Sequence, residues 1–436
     1  MIKIGGNIYF YWNYINFAIE RDVTGKKENN GLVKYLVRNQ TIIISIIMLG
    51  NFIYYNPTKL YFGTEVRKNL VDALNGFGKK VLLVYGGGSI KKNGIYDTVI
   101  AALKEADKEV TELSGVMPNP SLEKMNEGIR AALESEADLI LAVGGGSTID
   151  YSKGVAASAY FDGDAWETFW LNGKNPAENQ KIIPVGCLLT LAGTGSEMNG
   201  GSVITDEHNK LKVGKVFDDR LMPKFAILNP EYTYSLPKNQ MVAGIFDIMS
   251  HLMEQYFSDD DDSTTDYLIE GLMRSVIASS RIAVKDPENY EARSNIMWCA
   301  TWALNTLLKM GKSGDWMVHM IAHAIGAYTH ATHGMALSAI SPAYYRLVKH
   351  YGLHRFVRFA KVVWEIPSAG KTDEQVADAG IDALSSWIKE IGAATDISTL
   401  GVTEDMLDGI VGATFLGGGY KKLTAEDVLN VLKNSL

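Results

Sequence analysis

The chain has few cysteines and no long apolar run. Its 436 residues include only two cysteines, Cys187 and Cys299, both in apolar surroundings. This excludes a disulfide-built secreted scaffold and predicts a reducing, cytoplasmic compartment. The nearest candidate for a membrane span, TIIISIIMLG at 41–50, is shorter than the roughly 18 residues that a spanning helix needs. We therefore expect no membrane partner.

The chain also lacks an excess of positive charge. The formal net charge is −8, and no cluster of lysine and arginine stands out. Nucleic-acid binding is therefore not expected. The hydrophobic fraction of 47% and the charged fraction of 21% are those of an ordinary globular protein. An aspartate run at 259–262 is predicted to be a solvated loop.

Residues 1–47 differ in composition and patterning from the rest of the chain. They are rich in Asn, Ile, Tyr and Lys and show no helical or strand period. They also lack the charge and apolar pattern of a secretory signal peptide. We expect a dispensable extension; the alternative is a genuine segment that packs or targets.

Residues 48–236 are predicted to form an α/β domain. Apolar strands alternate with helices, as in KKVLLVY followed by a helix at about 95–106, and ADLILAV followed by a helix to about 158. This alternation is typical of a parallel sheet covered on both faces. A β-rich stretch follows at about 202–215. Residues 237–436 show helical periods almost throughout, including predicted helices near 238–257, 288–310 and 336–349, and are predicted to form an all-helical domain.

Two GGGS turns follow apolar strands, at 86–89 and 144–147. Glycines at such a point let a phosphate approach the backbone, and the next helix offers free N–H groups. A plain tight connection is the alternative interpretation. The G-x-G-x-x-G fingerprint is absent, so an ordinary Rossmann site is not expected. A third small-residue loop, TLAGTGSE at 190–197, adds hydroxyl and N–H groups.

The histidines cluster. Four of the eight lie between 319 and 333, and His251 stands four residues after Asp247. Side chains at i and i+4 share one helix face. His319 and His323 have the same spacing. Carboxylate and imidazole together suit a divalent transition metal. The alternative for each pair is a buried, hydrogen-bonded core group, but an isolated charge in VAGIFDIM would be costly.

These segments resemble the iron-containing (group III) alcohol dehydrogenases, in particular the NADPH-dependent butanol dehydrogenase and aldehyde reductase branch. The matching motifs are FIYYNPTKLYFG, YGGGSIKKNGIYD, PNP, GGGSTIDYSKG, TLAGTGSEMN, FAILNPEYTYSLP, the Asp247/His251 pair and HMIAHAIGAYTHATHG. The resemblance implies a dehydroquinate synthase-like fold, with a dinucleotide-binding α/β domain before a helical metal-binding domain. It also implies a homodimer.

The resemblance assigns site residues. It places the metal ligands on Asp247, His251, His319 and His333, and a proton-passing role on His323. It places the cofactor contacts on eight positions: Asn119, Gly145, Gly146, Ser147, Asp150, Thr190, Leu191 and Lys212. Leu191 stands where many members of the family have a second threonine.

The first GGGS turn bears on the choice of cofactor. NAD-preferring relatives carry an aspartate there, whereas this chain has Gly87, Gly88 and Ser89, with Lys91 and Lys92 just beyond. A missing carboxylate leaves room for a 2′-phosphate, which a lysine could neutralise. We therefore expect NADP, with NAD as the alternative.

The predicted function is a metal-dependent alcohol dehydrogenase and aldehyde reductase acting on primary alcohols such as butanol and on the matching aldehydes. Fe²⁺ is the expected metal; Zn²⁺ and Mn²⁺ are alternatives. Two rival functions stay open at this point. One is a metal-dependent lyase of the dehydroquinate synthase type, whose family pattern has Glu and two His as ligands. The other is a structural metal protein, although closed structural sites rely heavily on cysteine.

Overall fold

An antiparallel hairpin lies within the N-terminal segment for which the sequence predicts no elements. The computed structural model describes residues 32–37, 40–45, 51–258 and 263–436. The hairpin joins β1 (Leu32–Val37) and β2 (Gln40–Ser45). The rest of 1–47 and the aspartate run at 259–262 lie outside the described residues, so the predictions made for them stay predictions.

A six-stranded parallel sheet organises the α/β half. Its strands and the accompanying hairpin are β3 (Lys59–Phe62), β4 (Lys80–Tyr85), β5 (Glu109–Leu113), β6 (Leu139–Gly144), β7 (Val185–Leu189), β8 (Gly201–Asp206), β9 (Leu211–Val216) and β10 (Phe225–Leu228). The sheet order is β3-β10-β7-β6-β4-β5. Strands β6, β7 and β10 are buried along their whole length, which is why they read as continuous apolar runs.

Helices cover both faces of this sheet. They are α1 (Val66–Leu74), α2 (Ser89–Lys92), α3 (Ile95–Glu105), α4 (Leu122–Glu134) and α5 (Gly146–Ser158). Two separate apolar cores result: Leu70 and Val99 belong to the first, and Met125 and Val155 to the second. The predicted fold class is confirmed. Strand β3 and helix α1 were not predicted.

The β-rich stretch at about 202–215 forms a hairpin outside the main sheet. Strands β8 and β9 pair antiparallel, with Gly201 opposite Val216. The hairpin packs against α5 on one side and against the helical half on the other. It therefore carries β9 side chains to the junction between the two halves.

The C-terminal half is helical, as predicted. Its helices are α6 (Lys238–Tyr256), α7 (Thr264–Ala283), α8 (Tyr290–Ala303), α9 (Met317–Thr329), α10 (His333–Val348), α11 (Leu353–Val362), α12 (Asp373–Ile391), α13 (Leu407–Gly412) and α14 (Ala425–Lys433). None of the described helices combines the length and hydropathy of a membrane span. Helix α8 ends earlier than the predicted 310, and α10 begins three residues before the predicted 336.

Helix α6 lies very close to its neighbours on two sides. A Cβ atom at Gly244 would lie 2.2 Å from the carbonyl oxygen of Ala192, and one at Gly334 would lie 1.9 Å from that of Ala243. Both positions therefore require glycine. These approaches press the loop at 190–197 and the start of α10 against α6, within a single compact unit spanning 49–436. The domain boundary at 236/237 stays a prediction.

Candidate metal centre

Three helices bring the predicted metal ligands together. Asp247 and His251 lie on α6, His319 on α9, and His333 is the first residue of α10. The Nε2 atoms of His251, His319 and His333 lie 3.7, 3.6 and 3.8 Å from Oδ1 of Asp247. One carboxylate oxygen thus faces three imidazole nitrogens.

The spacing of these atoms suits one shared ion. Nε2 of His251 lies 3.1 Å from Nε2 of His319, and two nitrogens bound to one ion at ~2.1 Å lie roughly 3.0–3.4 Å apart. Ligand atoms of Asp247, His319 and His333 all lie within 4.8 Å of one another. Oδ1 of Asp247 is buried and has no hydrogen-bond partner among the described residues. An orphaned carboxylate oxygen among imidazoles fits a divalent metal.

The electrostatics leave Asp247, His251 and His333 ready to bind a cation. Burial lowers the pKa of His251 to about 4 and that of His333 well below its usual value. Burial alone would raise the pKa of Asp247, but the neighbouring His251 and His319 lower it. Asp247 therefore stays ionised, while His251 and His333 keep free lone pairs. Neutral imidazole and carboxylate are the ligand forms of these groups.

His323 lies beside the three ligand imidazoles rather than among them. Its ring centre is 5.2 Å from that of His333 and 6.2 Å from that of His319. Its Nδ1 is buried and lacks a hydrogen-bond partner among the described residues. Burial, followed by the charge of Lys212, lowers the pKa of His323 well below its usual value. A neutral imidazole here can accept a proton.

The β8–β9 hairpin brings Lys212 to this centre. Its Nζ donates to Oδ1 of Asn119 at 2.8 Å. Burial lowers the pKa of Lys212 to about 8, although Asp247 and Asp150 act in the opposite direction. A Cβ at Gly214 on the same strand would lie 3.6 Å from Cε1 of His323. Two predicted cofactor residues, Asn119 and Lys212, therefore meet next to the imidazoles.

The second GGGS turn contacts the loop at 190–197. The Thr190 N–H donates to the carbonyl oxygen of Gly144 at 3.0 Å. A Cβ at Gly145 would lie 3.0 Å from Cβ of Leu191, and one at Gly146 would lie 2.3 Å from Oγ1 of Thr194. Helix α5 begins at Gly146, so its first N–H groups, including that of Ser147, have no partner within the helix. This arrangement suits an anion.

Asp150 is engaged by the protein itself. One of its carboxylate oxygens accepts from the Ser196 hydroxyl, and the other accepts from the Val203 N–H at 3.0 Å. Lys153, which the sequence reasoning missed, is fully buried and donates to the carbonyl oxygens of Ser196 and Asn199, at 3.0 Å each. Asp150 thus fixes the loop at 190–197, and its contact with the cofactor stays a prediction.

The first GGGS turn follows β4, the sheet neighbour of β6. Gly88 has a φ of +98°, and a Cβ at Gly87 would meet nothing within 4 Å. Lys91 lies 3.5 Å from a carboxylate oxygen of Glu112. Glu112 also accepts from Tyr85 at 2.7 Å and from Tyr96 at 2.6 Å. Sequence reasoning missed Glu112, because strand β5 is adjacent only in the folded sheet.

Sequence reasoning also missed Glu254. Its carboxylate contacts Nδ1 of His319 and it is fully buried. The signal was present in the helical spacing, since Asp247, His251 and Glu254 stand at i, i+4 and i+7 on one face of α6.

Comparisons with known proteins support the family resemblance that the motifs indicate. The chain matches the model for iron-containing alcohol dehydrogenases over residues 57–230, and the C-terminal model of the same family over residues 241–436. A probable NADH-dependent butanol dehydrogenase 1 of Bacillus subtilis is 42% identical over 392 residues, which cover 89% of this chain and 100% of that protein. The NADPH-dependent aldehyde reductase YqhD of Escherichia coli is 36% identical and covers 81% of this chain and 90% of its own length.

The fold agrees with a solved relative as well. The crystal structure of an NADH-dependent butanol dehydrogenase A from Thermotoga maritima superimposes with a TM-score of 0.83 at 36% identity, covering 88% of this chain and 98% of that one. Both halves of the chain are thus matched by sequence and by structure, with a carboxylate and three imidazoles converging at their junction. The resemblance drawn from the motifs is confirmed: the chain belongs to the iron-containing alcohol dehydrogenase family, and it is an oxidoreductase of that family.

Proposed function

We propose that the protein reduces simple aldehydes to primary alcohols with NADPH, reversibly, and that butanal and butanol are suitable substrates. One observation carries the proposal: three imidazole nitrogens surround an oxygen of Asp247 that has no hydrogen-bond partner in the described part of the chain, beside the loops that would hold a dinucleotide. The names of the Bacillus subtilis and Escherichia coli relatives, a butanol dehydrogenase and an aldehyde reductase, support this substrate class.

The metal would be held by Asp247, His251, His319 and His333. When bound there, a divalent ion supplies Lewis-acid polarisation of a carbonyl or hydroxyl oxygen. Family membership favours Fe²⁺, and the same ligand atoms also accept Zn²⁺ or Mn²⁺. Asp247 and His251 are almost completely buried, and the low dielectric of a buried site strengthens electrostatic interactions at the centre.

The remaining residues bind and move protons. Lys212 and Asn119 form a polar pair that would hold the nicotinamide end of the cofactor, with Thr190 and Leu191 alongside. The second GGGS turn, with the N-terminus of α5, would take the phosphates. His323, buried and neutral beside the ligand histidines, would accept or deliver the proton that accompanies the change between alcohol and aldehyde.

The choice of NADPH rests on the open turn after β4. The free space at Gly87 and the nearby Lys91 and Lys92 suit a 2′-phosphate. Two observations weigh against a strong preference. Glu112 already balances part of the charge of Lys91, and the Bacillus subtilis relative is named NADH-dependent. We therefore propose a modest preference for NADPH, with NADH as a working second cofactor.

The rival functions are less well supported. A lyase of the dehydroquinate synthase type is not favoured, because both halves of the chain match alcohol dehydrogenase models. A closed structural metal site would draw on cysteine, but Cys187 lies on β7 and Cys299 on α8, and neither belongs to the ligand set. We also propose that the protein is a cytoplasmic homodimer that acts on small molecules and has no nucleic-acid or membrane partner.

Steady-state turnover separates the three functions. Purified protein loaded anaerobically with Fe²⁺ should oxidise NADPH when butanal is added, followed by the loss of absorbance at 340 nm. The reverse reaction should proceed with butanol and NADP at alkaline pH. An ion-loaded protein that consumes neither NADPH nor NADH with any short aldehyde would refute the proposal.

A further inference from the structure

Glu254 touches a proposed metal ligand from behind. It lies on α6, one helical turn beyond His251, and its side chain is fully buried. Its carboxylate contacts Nδ1 of His319, the ring nitrogen that faces away from Asp247. A buried carboxylate without partners would be costly, so its position needs a physical account.

The carboxylate of Glu254 is surrounded by donors. The backbone N–H of His319 donates to one of its oxygens at 3.2 Å, and the hydroxyl of Ser250 donates to the other at 2.8 Å. The carbonyl oxygen of Glu254 accepts from the N–H of Asp315 at 2.8 Å. The residue thus ties α6 to the start of α9 and fixes the ring of His319 in one orientation.

We propose that Glu254 is a positioning residue for the metal: its carboxylate accepts the Nδ1–H of His319 and so holds the tautomer whose Nε2 lone pair points at Asp247 and the ion. A histidine that donates its second ring N–H to a carboxylate is fixed in tautomer and becomes a more basic ligand. The inference rests on the proposed metal site. It adds a group that does not itself bind the ion.

The surroundings of the pair preserve this geometry. The ring of Trp316 packs 5.7 Å from the ring of His319 and 6.3 Å from that of His251. Asp315 accepts from the hydroxyl of Tyr344 on α10, at 2.6 and 2.7 Å to its two oxygens. The start of α9 is therefore held to both α6 and α10, and Glu254 is the carboxylate that contacts a ring nitrogen of a proposed ligand.

The test compares metal binding in Glu254→Gln and Glu254→Ala. The amide oxygen of Gln can still accept from Nδ1 of His319, but the side chain has no charge. Its NH₂ group must then face one of the remaining donors, such as the backbone N–H of His319. Ala removes the acceptor altogether. Loss of such a partner costs about 10–100-fold in metal affinity. We expect a loss near the lower end for Gln and near the upper end for Ala, measured with Zn²⁺ alone in competition with a chromophoric chelator.

A matched control is Glu270→Gln. Glu270 is a buried carboxylate on α7 that accepts from Tyr256 at 2.6 Å and pairs with Arg358, away from the metal ligands. This variant should lose stability but keep the Zn²⁺ affinity of the unmodified chain. The thermal midpoint of each metal-free variant gives the second readout, so that general unfolding is distinguished from loss of positioning.

The outcomes are distinct. Weakened Zn²⁺ binding in folded Glu254 variants, with binding retained in Glu270→Gln, supports the inference. Glu254 variants that bind Zn²⁺ as tightly as the unmodified chain overturn it and leave the proposed function standing. An unmodified chain that binds neither Zn²⁺ nor Fe²⁺ overturns the proposed metal site and this inference together. An equal loss of affinity in Glu254→Gln and Glu270→Gln would also overturn it, because the effect would then be general.

Discussion

Nε2 of His251 and Nε2 of His319 face each other at 3.1 Å. Two imidazole lone pairs repel at this distance unless a cation, either a proton or a metal ion, lies between them. Burial alone would lower the pKa of His319, but Glu254 and Asp247 raise it to about 9, whereas that of His251 falls to about 4. A proton held by His319 therefore separates the two nitrogens in the metal-free chain, and a metal ion would have to replace that proton.

The metal ligands give the first prediction. His319→Ala or His333→Ala should lose more than about 100-fold in metal affinity, since removing only a supporting carboxylate costs about 10–100-fold. Turnover should fall with the bound metal, as measured by elemental analysis and NADPH oxidation. His350→Ala is the control, because His350 is exposed and pairs with Glu374 on the surface at 3.0 Å. Full metal content in both ligand variants would disprove the assignment.

The buried side chain of Lys212 gives the second prediction. Lys212 has a pKa lowered from 10.5 to about 8. The unfolded chain therefore binds this proton more tightly between these values, so the stability of the folded chain rises with pH from 8 to 10.5. Below pH 8 the charged amine costs about 3 kcal/mol at most. Lys212→Met should raise the thermal midpoint of the metal-free chain at pH 7 and remove this pH dependence.

The same substitution should weaken cofactor binding. Losing one charge-assisted hydrogen bond, about 1.5–3 kcal/mol, predicts a rise of at least about tenfold in the KM for NADPH. In the unmodified protein this KM should also rise above pH 8, as the amine loses its charge. Lys153→Met is the matched control for the stability measurement. It leaves the buried carbonyl oxygens of Ser196 and Asn199 without their donor, so it should lower the thermal midpoint that Lys212→Met is expected to raise. A KM that stays constant in Lys212→Met would count against a cofactor role.

Cofactor choice gives the third prediction. The unmodified protein should show a higher kcat/KM with NADPH than with NADH, by about tenfold if one net charged bond survives. Gly87→Asp should partly reverse this preference, because a carboxylate there repels a 2′-phosphate and accepts ribose hydroxyls. Gly87→Asn, similar in size but uncharged, is the control. Equal efficiency with both cofactors in the unmodified protein would contradict the prediction and leave the dehydrogenase function intact.

A companion variant tests the neighbouring carboxylate. Glu112→Gln should increase the preference for NADPH. The carboxylate of Glu112 lies 3.5 Å from Nζ of Lys91, and its removal leaves the full positive charge of Lys91 for the 2′-phosphate. A preference that moves toward NADH would show that Lys91 does not reach the phosphate.

The N-terminal segment gives the fourth prediction. A chain that starts at Met48 should fold and turn over like the full chain, because residues 49–436 form one compact unit. It keeps Asn56, whose amide donates to the carbonyl oxygens of Met198 at 2.8 Å and Asn305 at 3.1 Å. Thermal midpoint and kcat/KM should match those of the full chain. An insoluble or inactive product would show that residues 1–47 contribute to the fold.

Much of the site was readable in local spacing. Asp247 and His251, like His319 and His323, stand at i and i+4, and helix geometry alone places each pair on one face. The two GGGS turns follow apolar strands, and chain order alone puts each of them at the carboxyl end of a parallel strand. These features depend on backbone periodicity, which neighbouring residues set, so the sequence by itself determined the fold class, the candidate ligands and the position of the two glycine turns proposed to bind phosphate.

Tertiary packing decided the rest. Glu254 reaches His319 across 65 residues of chain, and Ser196 reaches Asp150 across 46. The contact between α6 and α10 depends on Gly334, where a Cβ would lie 1.9 Å from Ala243. Such partners are set by which helices approach and how closely, because hydrogen bonds and van der Waals contacts act over a few ångströms, whatever the distance along the chain. The sequence therefore identified which groups could bind a metal, and only the folded structure decided which of them lie close enough to share one ion and which carboxylate contacts a ligand ring from behind.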